Sequence, residues 1–426
     1  MRTKFWAVVA VVVMIAGLGT QPASAQRAPH LRPVQRVCAR AHGLRATCSA
    51  QVISRDGVTP LATVTPDPTA LTPADLASAY NYSLIPGVGP GWGTGRTIAI
   101  VDAMDNPNAE ADLGAYRAQF GLSPCTTANG CFKKVNQNGA ASPLPAGNVS
   151  WGEEIDLDIE MASAVCPDCK ILLVEANSSI ILDLIAAEAR AVALGASAVS
   201  NSWGSSAELG SLGPALFDRF VNYPGVAITA ATGDNGYSGS WPSDVPTVIG
   251  VGGTSLTRAA NARGWTETAW ANGGSFCSAV DAQPRWQSIA ILIAAAFAQT
   301  SQCPRRSTSD VSAVADPQTG VAVYDSYGST GGANWFVFGG TSVSAPLVAS
   351  MYARAGDLVG QPSTMPYPAS GTYVAWYKNT KVLNDVTTGS NGNGFGVGCP
   401  LSYECNAQLG YDGPTGLGTP NGFAAF

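Results

Sequence analysis

The sequence predicts an α/β domain built on a mostly parallel sheet with helices on both faces. Short apolar, β-branched runs bounded by Gly, Asn or Asp recur along the chain, and helix-period stretches stand between the early ones. Only 12% of the 426 residues are charged while 46% are hydrophobic, against about 25% charged in ordinary globular domains. Strands that alternate with helices imply parallel pairing under a cover on each face. With 48 Gly and 28 Pro, many turns between short elements are expected.

Residues 1–25 read as a secretory signal: Arg2 and Lys4, an apolar run from Phe5 to Leu18, then Ala23-Ser24-Ala25 before Gln26. The run is shorter than the roughly 18 to 20 residues that span a bilayer. An exported product without stable membrane insertion is expected. Residues 26–69 hold six Arg against two acidic groups, net +4, whereas residues 70–426 hold 15 basic and 27 acidic groups, near −12. The first stretch is read as a short basic pro-segment or N-terminal extension, the second as the functional domain. An acidic, weakly charged surface argues against a nucleic-acid partner, and a monomer is expected.

Ten cysteines in an exported chain are expected to pair. Their order suggests five local bridges: 38 with 48, 125 with 131, 166 with 169, 277 with 303, and 399 with 405. Cys166-Pro167-Asp168-Cys169 also has redox or zinc spacing, but no second half-site accompanies it.

In the domain, strands are predicted at Thr97–Ala103, Lys170–Ala176, Ala196–Trp203, Val226–Gly233, Thr247–Gly253, Gly320–Ser326 and Asn334–Gly340. Helices are predicted at Ala109–Phe120, Glu154–Ala164, Ile180–Leu194, Leu209–Val221 and Leu347–Ala355. The apolar run Ile289–Ala298 is too short to cross a membrane and is read as a buried or partner-covered helix.

Both histidines, His30 and His42, precede residue 70, so proton chemistry in the domain falls to carboxylates. Gly339-Gly340-Thr341-Ser342 follows a strand and leads into a helix. A serine there can meet backbone N–H groups at the positive end of a helix dipole, although Ser and Thr also favour a plain N-cap. Glu154 and Asp158 lie four apart, hence on one helix face. Like charges at that spacing repel unless they share a proton or meet another group. An acidic helix start with Ser150 and Glu153 as a capping box explains Glu153 but does not require that pair. Asp234 ends a strand before a glycine-rich turn, where turn aspartates are common; strand ends on one edge of a parallel sheet also converge on sites.

The order Glu154, Asp158, Asp234, Ser342, with Ser202-Trp203-Gly204 between, resembles the sedolisins, serine-carboxyl peptidases on a subtilisin-like fold. The resemblance runs from about Leu71 to Phe426 and rests on Glu-x-x-Leu-Asp together with Gly-Thr-Ser-x-x-x-Pro. It implies Ser342 as nucleophile, Glu154 as general base, Asp158 as the group orienting Glu154, and Asp234 as a protonated donor to the oxyanion. It also implies one structural calcium, held by the side chains of Asp385 and Asp412 and the carbonyls of Val386, Gln408 and Gly410, hard oxygen donors suited to that ion. Polypeptide substrates and an acidic optimum follow from the resemblance and the missing histidine. Asp102 stands where relatives often carry Glu, implying a shorter or absent bond to Glu154. The Ile289 run has no counterpart, and residues 26–69 are short for a sedolisin prodomain. A subtilisin mechanism needs a histidine that the domain lacks. A non-catalytic binding protein on a decayed peptidase fold is the alternative, but none of the four roles is missing.

Overall fold

The structure is a computed structural model. It describes residues 31–426 apart from 41–42, 85–94, 207–216, 285–286, 289–302, 330–331, 357–381, 393–398 and 400–401. The signal-like stretch, the apolar run 289–298 and most of the helix expected at Leu209–Val221 lie outside the described residues.

In chain order, the elements are strands β1 (Val34–Arg36), β2 (Thr47–Cys48) and β3 (Gln51–Ile53), helix α1 (Pro73–Ala79), β4 (Thr97–Ala103), α2 (Ala109–Gln119), β5 (Phe132–Asn136), α3 (Val149–Val165), β6 (Lys170–Ala176), α4 (Ile181–Ala193), β7 (Ala198–Asn201), β8 (Trp203–Ser206), β9 (Ala227–Ala231), β10 (Ser240–Trp241), β11 (Ile249–Arg258), β12 (Trp265–Ala269), β13 (Val311–Val314), β14 (Val321–Tyr324), β15 (Trp335–Gly339) and α5 (Thr341–Ala355). A short pair, β16 (Leu383–Asn384) with β17 (Thr419–Pro420), closes the C-terminal part.

The main sheet runs β12-β11-β9-β7-β4-β6-β5, with β13 also on β11. All of its pairings are parallel except β11 with β12. Ile98, Ala99, Ile100 and Val101 of β4 are all 0% exposed. Successive strand residues point to opposite faces, so both faces are covered, and each buried Ile or Val stabilises by about 1.5–3 kcal/mol. Helix α4 packs on β4 and β6, α3 packs on β4 and on α5, and α5 packs on β7 and β9.

Four expectations are corrected. The strands at 320–326 and 334–340 form, but not in the main sheet: β14 and β15 belong to an antiparallel sheet of order β1-β3-β15-β14. Helix α3 begins earlier than Glu154, and its N-cap is Asn148, whose Oδ1 accepts from Trp151 N at 3.0 Å. The Ser150–Glu153 capping box does not form, because the Asx cap moves the first turn forward. Likewise α5 begins at Thr341, with Gly340 as N-cap.

All five cysteine bridges form: 38–48, 125–131, 166–169, 277–303 and 399–405. Within the unit Arg32–Phe426, β3 pairs with β15 and β2 pairs with β8, so residues 34–53 share sheets with the later chain. No helix among the described residues is long and apolar enough to cross a membrane.

Candidate active site

Strand order reverses about β4: the chain passes first to the edge strand β5 and back to β6 on one side, then to β7, β9 and β11 in turn on the other. The crevice at the carboxyl ends of such strands is where open α/β sheets gather side chains. Asp102 is the last residue but one of β4, Ser202 follows β7, and Asp234 lies just beyond β9. Trp203 Nε1 ties this edge together by donating to Val101 O at 2.8 Å. Helices α3 and α5, packed on each other, bring Glu154, Asp158 and Ser342 to the same place.

All five titrating or nucleophilic groups are buried: Asp102, Glu154, Asp158 and Ser342 at 0% exposure and Asp234 at 2%. Ser342 Oγ donates to Ser202 O at 3.1 Å, and Ser202 Oγ donates to Asp158 Oδ1 at 2.8 Å. Asp158 thus meets Ser202 rather than Glu154. Neither oxygen of Glu154 accepts a hydrogen bond, although the nearby Ser342 hydroxyl favours its ionised form. Burial, then Asp158 and Asp102, push the Glu154 carboxyl well above the usual range. Burial and Asp102 do the same to Asp158. Both oxygens of Asp102 are without hydrogen bonds, and burial lifts it to about 8; the supporting bond to Glu154 is absent, as the shorter side chain implied.

Asp234 Oδ1 accepts from Thr341 N and Thr341 Oγ1, both at 2.9 Å. Burial raises its carboxyl to about 6, opposed by Thr341, by the Arg36 charge and by Gln51. Gly340, at φ 98°, separates Asp234 from another group: a Cβ there would meet Ser49 O at 2.0 Å and Asp234 Oδ2 at 2.8 Å. Only glycine fits that backbone and that gap.

Sequence reasoning missed the N-terminal residues that reach this site, and it missed a second acid group. Asp112, Asp156 and Asp325 approach within 4.8 Å of one another, all buried, and burial raises Asp325 to about 6 and Asp156 well above its usual range. Asp156 sits between Glu154 and Asp158 in sequence, but on another face of α3; its partners lie far away in the chain, and no local spacing signals them.

At the C-terminal end, Gly410 N donates to Asp385 Oδ2 at 3.0 Å, and Gln408 N donates to Asp412 Oδ2 at 2.9 Å. Burial raises Asp412, and the neighbouring Asp385 adds to it. Among the described residues, neither acid forms an ion pair with a cationic side chain. Two adjacent carboxyls without a counter-charge, in a loop carrying Val386, Gln408 and Gly410, suit a divalent cation with hard oxygen ligands.

Residues 146–398 match the subtilase family. The chain is 30% identical over 379 residues to kumamolisin of Bacillus sp. (strain MN-32), across 83% of this chain and 63% of that protein. It is 33% identical over 195 residues to sedolisin of Pseudomonas sp. (strain 101), across 43% of this chain and 29% of that one. It therefore spans less than two thirds of the length of either relative. The solved Pseudomonas sedolisin, a serine-carboxyl proteinase complexed with two molecules of pseudo-iodotyrostatin, superposes with a TM-score of 0.65 at 23% identity over 85% of this chain and 96% of that one; the fold is the same. The chain belongs to the subtilase family, as a sedolisin-type member.

Proposed function

We propose that the chain is an exported serine-carboxyl peptidase that hydrolyses peptide bonds in acid. The observation that carries this reading is the convergence of Ser342 N and the Asp234 carboxyl on one carbonyl position, with the buried Glu154 beside the Ser342 hydroxyl. Ser342 attacks the substrate carbonyl, and Glu154 takes the hydroxyl proton and returns it to the leaving amine. Asp234, held protonated, and Ser342 N donate to the tetrahedral oxyanion. Asp158 acts through Ser202, which it fixes by the 2.8 Å bond, and so keeps the carbonyl beside Ser342 in place.

The mechanism uses an ionised Glu154 and a neutral Asp234, and burial raises both carboxyls. Water entering an open cleft relieves the burial that dominates the Glu154 rise. The productive charge state shares its proton count with the resting one, and the two titrate as one cluster. The five bridges and the signal-like N-terminus support export. Asp385, Asp412 and the carbonyls of Val386, Gln408 and Gly410 would hold one calcium. When bound, that ion supplies the counter-charge that fixes the C-terminal loop.

The test is incubation of the secreted chain with a denatured protein at acidic and neutral pH, with products identified by mass spectrometry. Peptides released in acid by the wild type and not by Ser342→Ala are expected. Equal release by Ser342→Ala would contradict the assignment.

A further inference from the structure

The side chain of Thr341 serves Asp234 rather than its own helix. Gly340 is the N-cap of α5, and no side chain caps that helix, so Thr341 does not fill the capping role that Ser and Thr often take at such a junction. Thr341 is 0% exposed, and its surroundings fix where its hydroxyl proton points. Gly233 N donates to Thr341 Oγ1 at 3.1 Å. The hydroxyl's own proton therefore goes to Asp234 Oδ1, at 2.9 Å. Thr341 N donates to that same oxygen, also at 2.9 Å. The methyl holds the rotamer: a Cβ on Gly253 would meet Thr341 Cγ2 at 3.3 Å. The branched side chain thus has β11 on one side and Asp234 on the other, and χ1 of such a residue is stiff.

Two donors on Asp234 Oδ1 fill both of its lone-pair sites. A neutral carboxyl then carries its proton on the other oxygen, Oδ2. Among the described residues Oδ2 accepts no hydrogen bond, and it faces the space that Gly340 keeps clear, where a Cβ would stand 2.8 Å from it. We propose that Thr341 is a positioning residue: its hydroxyl keeps the acid proton of Asp234 on Oδ2, aimed at the oxyanion, and sets how far up in pH that proton is held. This rests on the peptidase reading above and gives a role to a residue that the reading leaves out. The other groups that face Asp234 are Arg36 of β1, Gln51 of β3 and Glu154 of α3. Arg36 donates to the main-chain oxygen of Asp234 at 3.0 Å, and its charge, like the Thr341 donors, favours the ionised carboxyl against burial. Without the Thr341 hydroxyl the ionised form loses a donor, so the proton is held to higher pH. Thr341 N alone is then left to keep Oδ1 turned from the substrate.

The experiment measures kcat and KM on a short peptide, from about pH 2 to about pH 9, for the full chain and its Thr341→Val and Thr341→Ser variants, with thermal unfolding followed in parallel. Thr341→Val keeps the branched shape and loses only the hydroxyl. Its acid limb should stay in place, its alkaline limb should move up by about one pH unit, and its kcat should fall about tenfold with KM nearly unchanged. Thr341→Ser restores the hydroxyl and should return the alkaline limb to the wild-type position. If Thr341→Val does not fold, Thr341→Ala is read in the same way; failure of both to fold, with Thr341→Ser folded, makes the hydroxyl a structural group and overturns the proposal. An alkaline limb that stays at the wild-type position in Thr341→Val, at whatever rate, overturns this inference and leaves the peptidase reading standing. Wild type that cleaves no peptide at any pH overturns both.

Discussion

Asp310 and Glu154 are both buried acids beside the parallel sheet, at 1% and 0% exposure, but their surroundings are opposite. Asp310 meets the Arg306 guanidinium through both oxygens, at 2.5 and 2.7 Å, and Arg306 also donates to the carbonyls of Ser307 and Val248. Glu154 has no cation beside it among the described residues and lies in the field of three other acids, Asp158, Asp102 and Asp234. Burial raises both carboxyls, and only for Asp310 does a neighbouring cation pull the other way. The first arrangement holds a loop in place by satisfying a charge. The second keeps protons on its members, and a carboxyl whose proton affinity is raised toward the working pH is one that can give and take a proton.

The largest effect expected is on activity. Ser342→Ala and Glu154→Gln should each lower kcat/KM by at least about 10³-fold while leaving thermal unfolding nearly unchanged, since neither removes a partner that others depend on. Arg306→Leu should do the reverse, leaving Asp310 buried without its cation at a cost of about 3–5 kcal/mol, read from urea unfolding. Adding Asp310→Leu should recover most of that loss, whereas a double variant as unstable as the single one would show that the pair acts through packing alone.

Asp385 and Asp412 form an intermediate case, two neighbouring acids whose counter-charge comes from outside the chain. Chelation should lower the unfolding midpoint by several degrees, equivalent to roughly 2–3 kcal/mol at a hundredfold excess of ion over Kd. Asp412→Ala should be insensitive to chelator. An unchanged wild-type midpoint, with no metal by elemental analysis, would remove the site.

The smallest effect concerns Asp156. Its raised carboxyl is neutral in the folded chain where the unfolded one ionises, so its stabilising contribution is present below about pH 4 and declines as pH rises toward the folded value. Asp156→Asn should therefore raise stability at neutral pH by about 1 kcal/mol and change little in acid. A loss of equal size at both pH values would mean that the carboxyl is needed as a charge.

What could be read from the sequence follows the range of the interactions. The strands at Thr97–Ala103 and Lys170–Ala176 stand where expected, because buried parallel strands carry their signal in their own residues. Motif order picked out Glu154, Asp158, Asp234 and Ser342, which the fold buries in one place, and Asp102 has no bond to Glu154. The Asn148 cap was missed because Ser150 and Glu153 offered a competing local pattern. The antiparallel placement of β14 and β15 depends on β3, more than 250 residues earlier in the chain, and no local pattern encodes that pairing. Residues 26–69 were read by charge, length and cysteine order, none of which encodes the main-chain register that brings Ser49 O to Ser342 N.

The central claim is that carboxyl groups alone drive proton transfer to and from Ser342. The direct measurement is kcat/KM on a short peptide from about pH 2 to about pH 9. The account predicts a bell in the acid range: activity falls on the low side as Glu154 is protonated, and on the high side as Asp234, near 6 in the structure, loses the proton it donates to the oxyanion. A rate that climbs through neutrality to a plateau above about pH 8 would contradict it, because an ionised Asp234 would then face a negative intermediate without penalty.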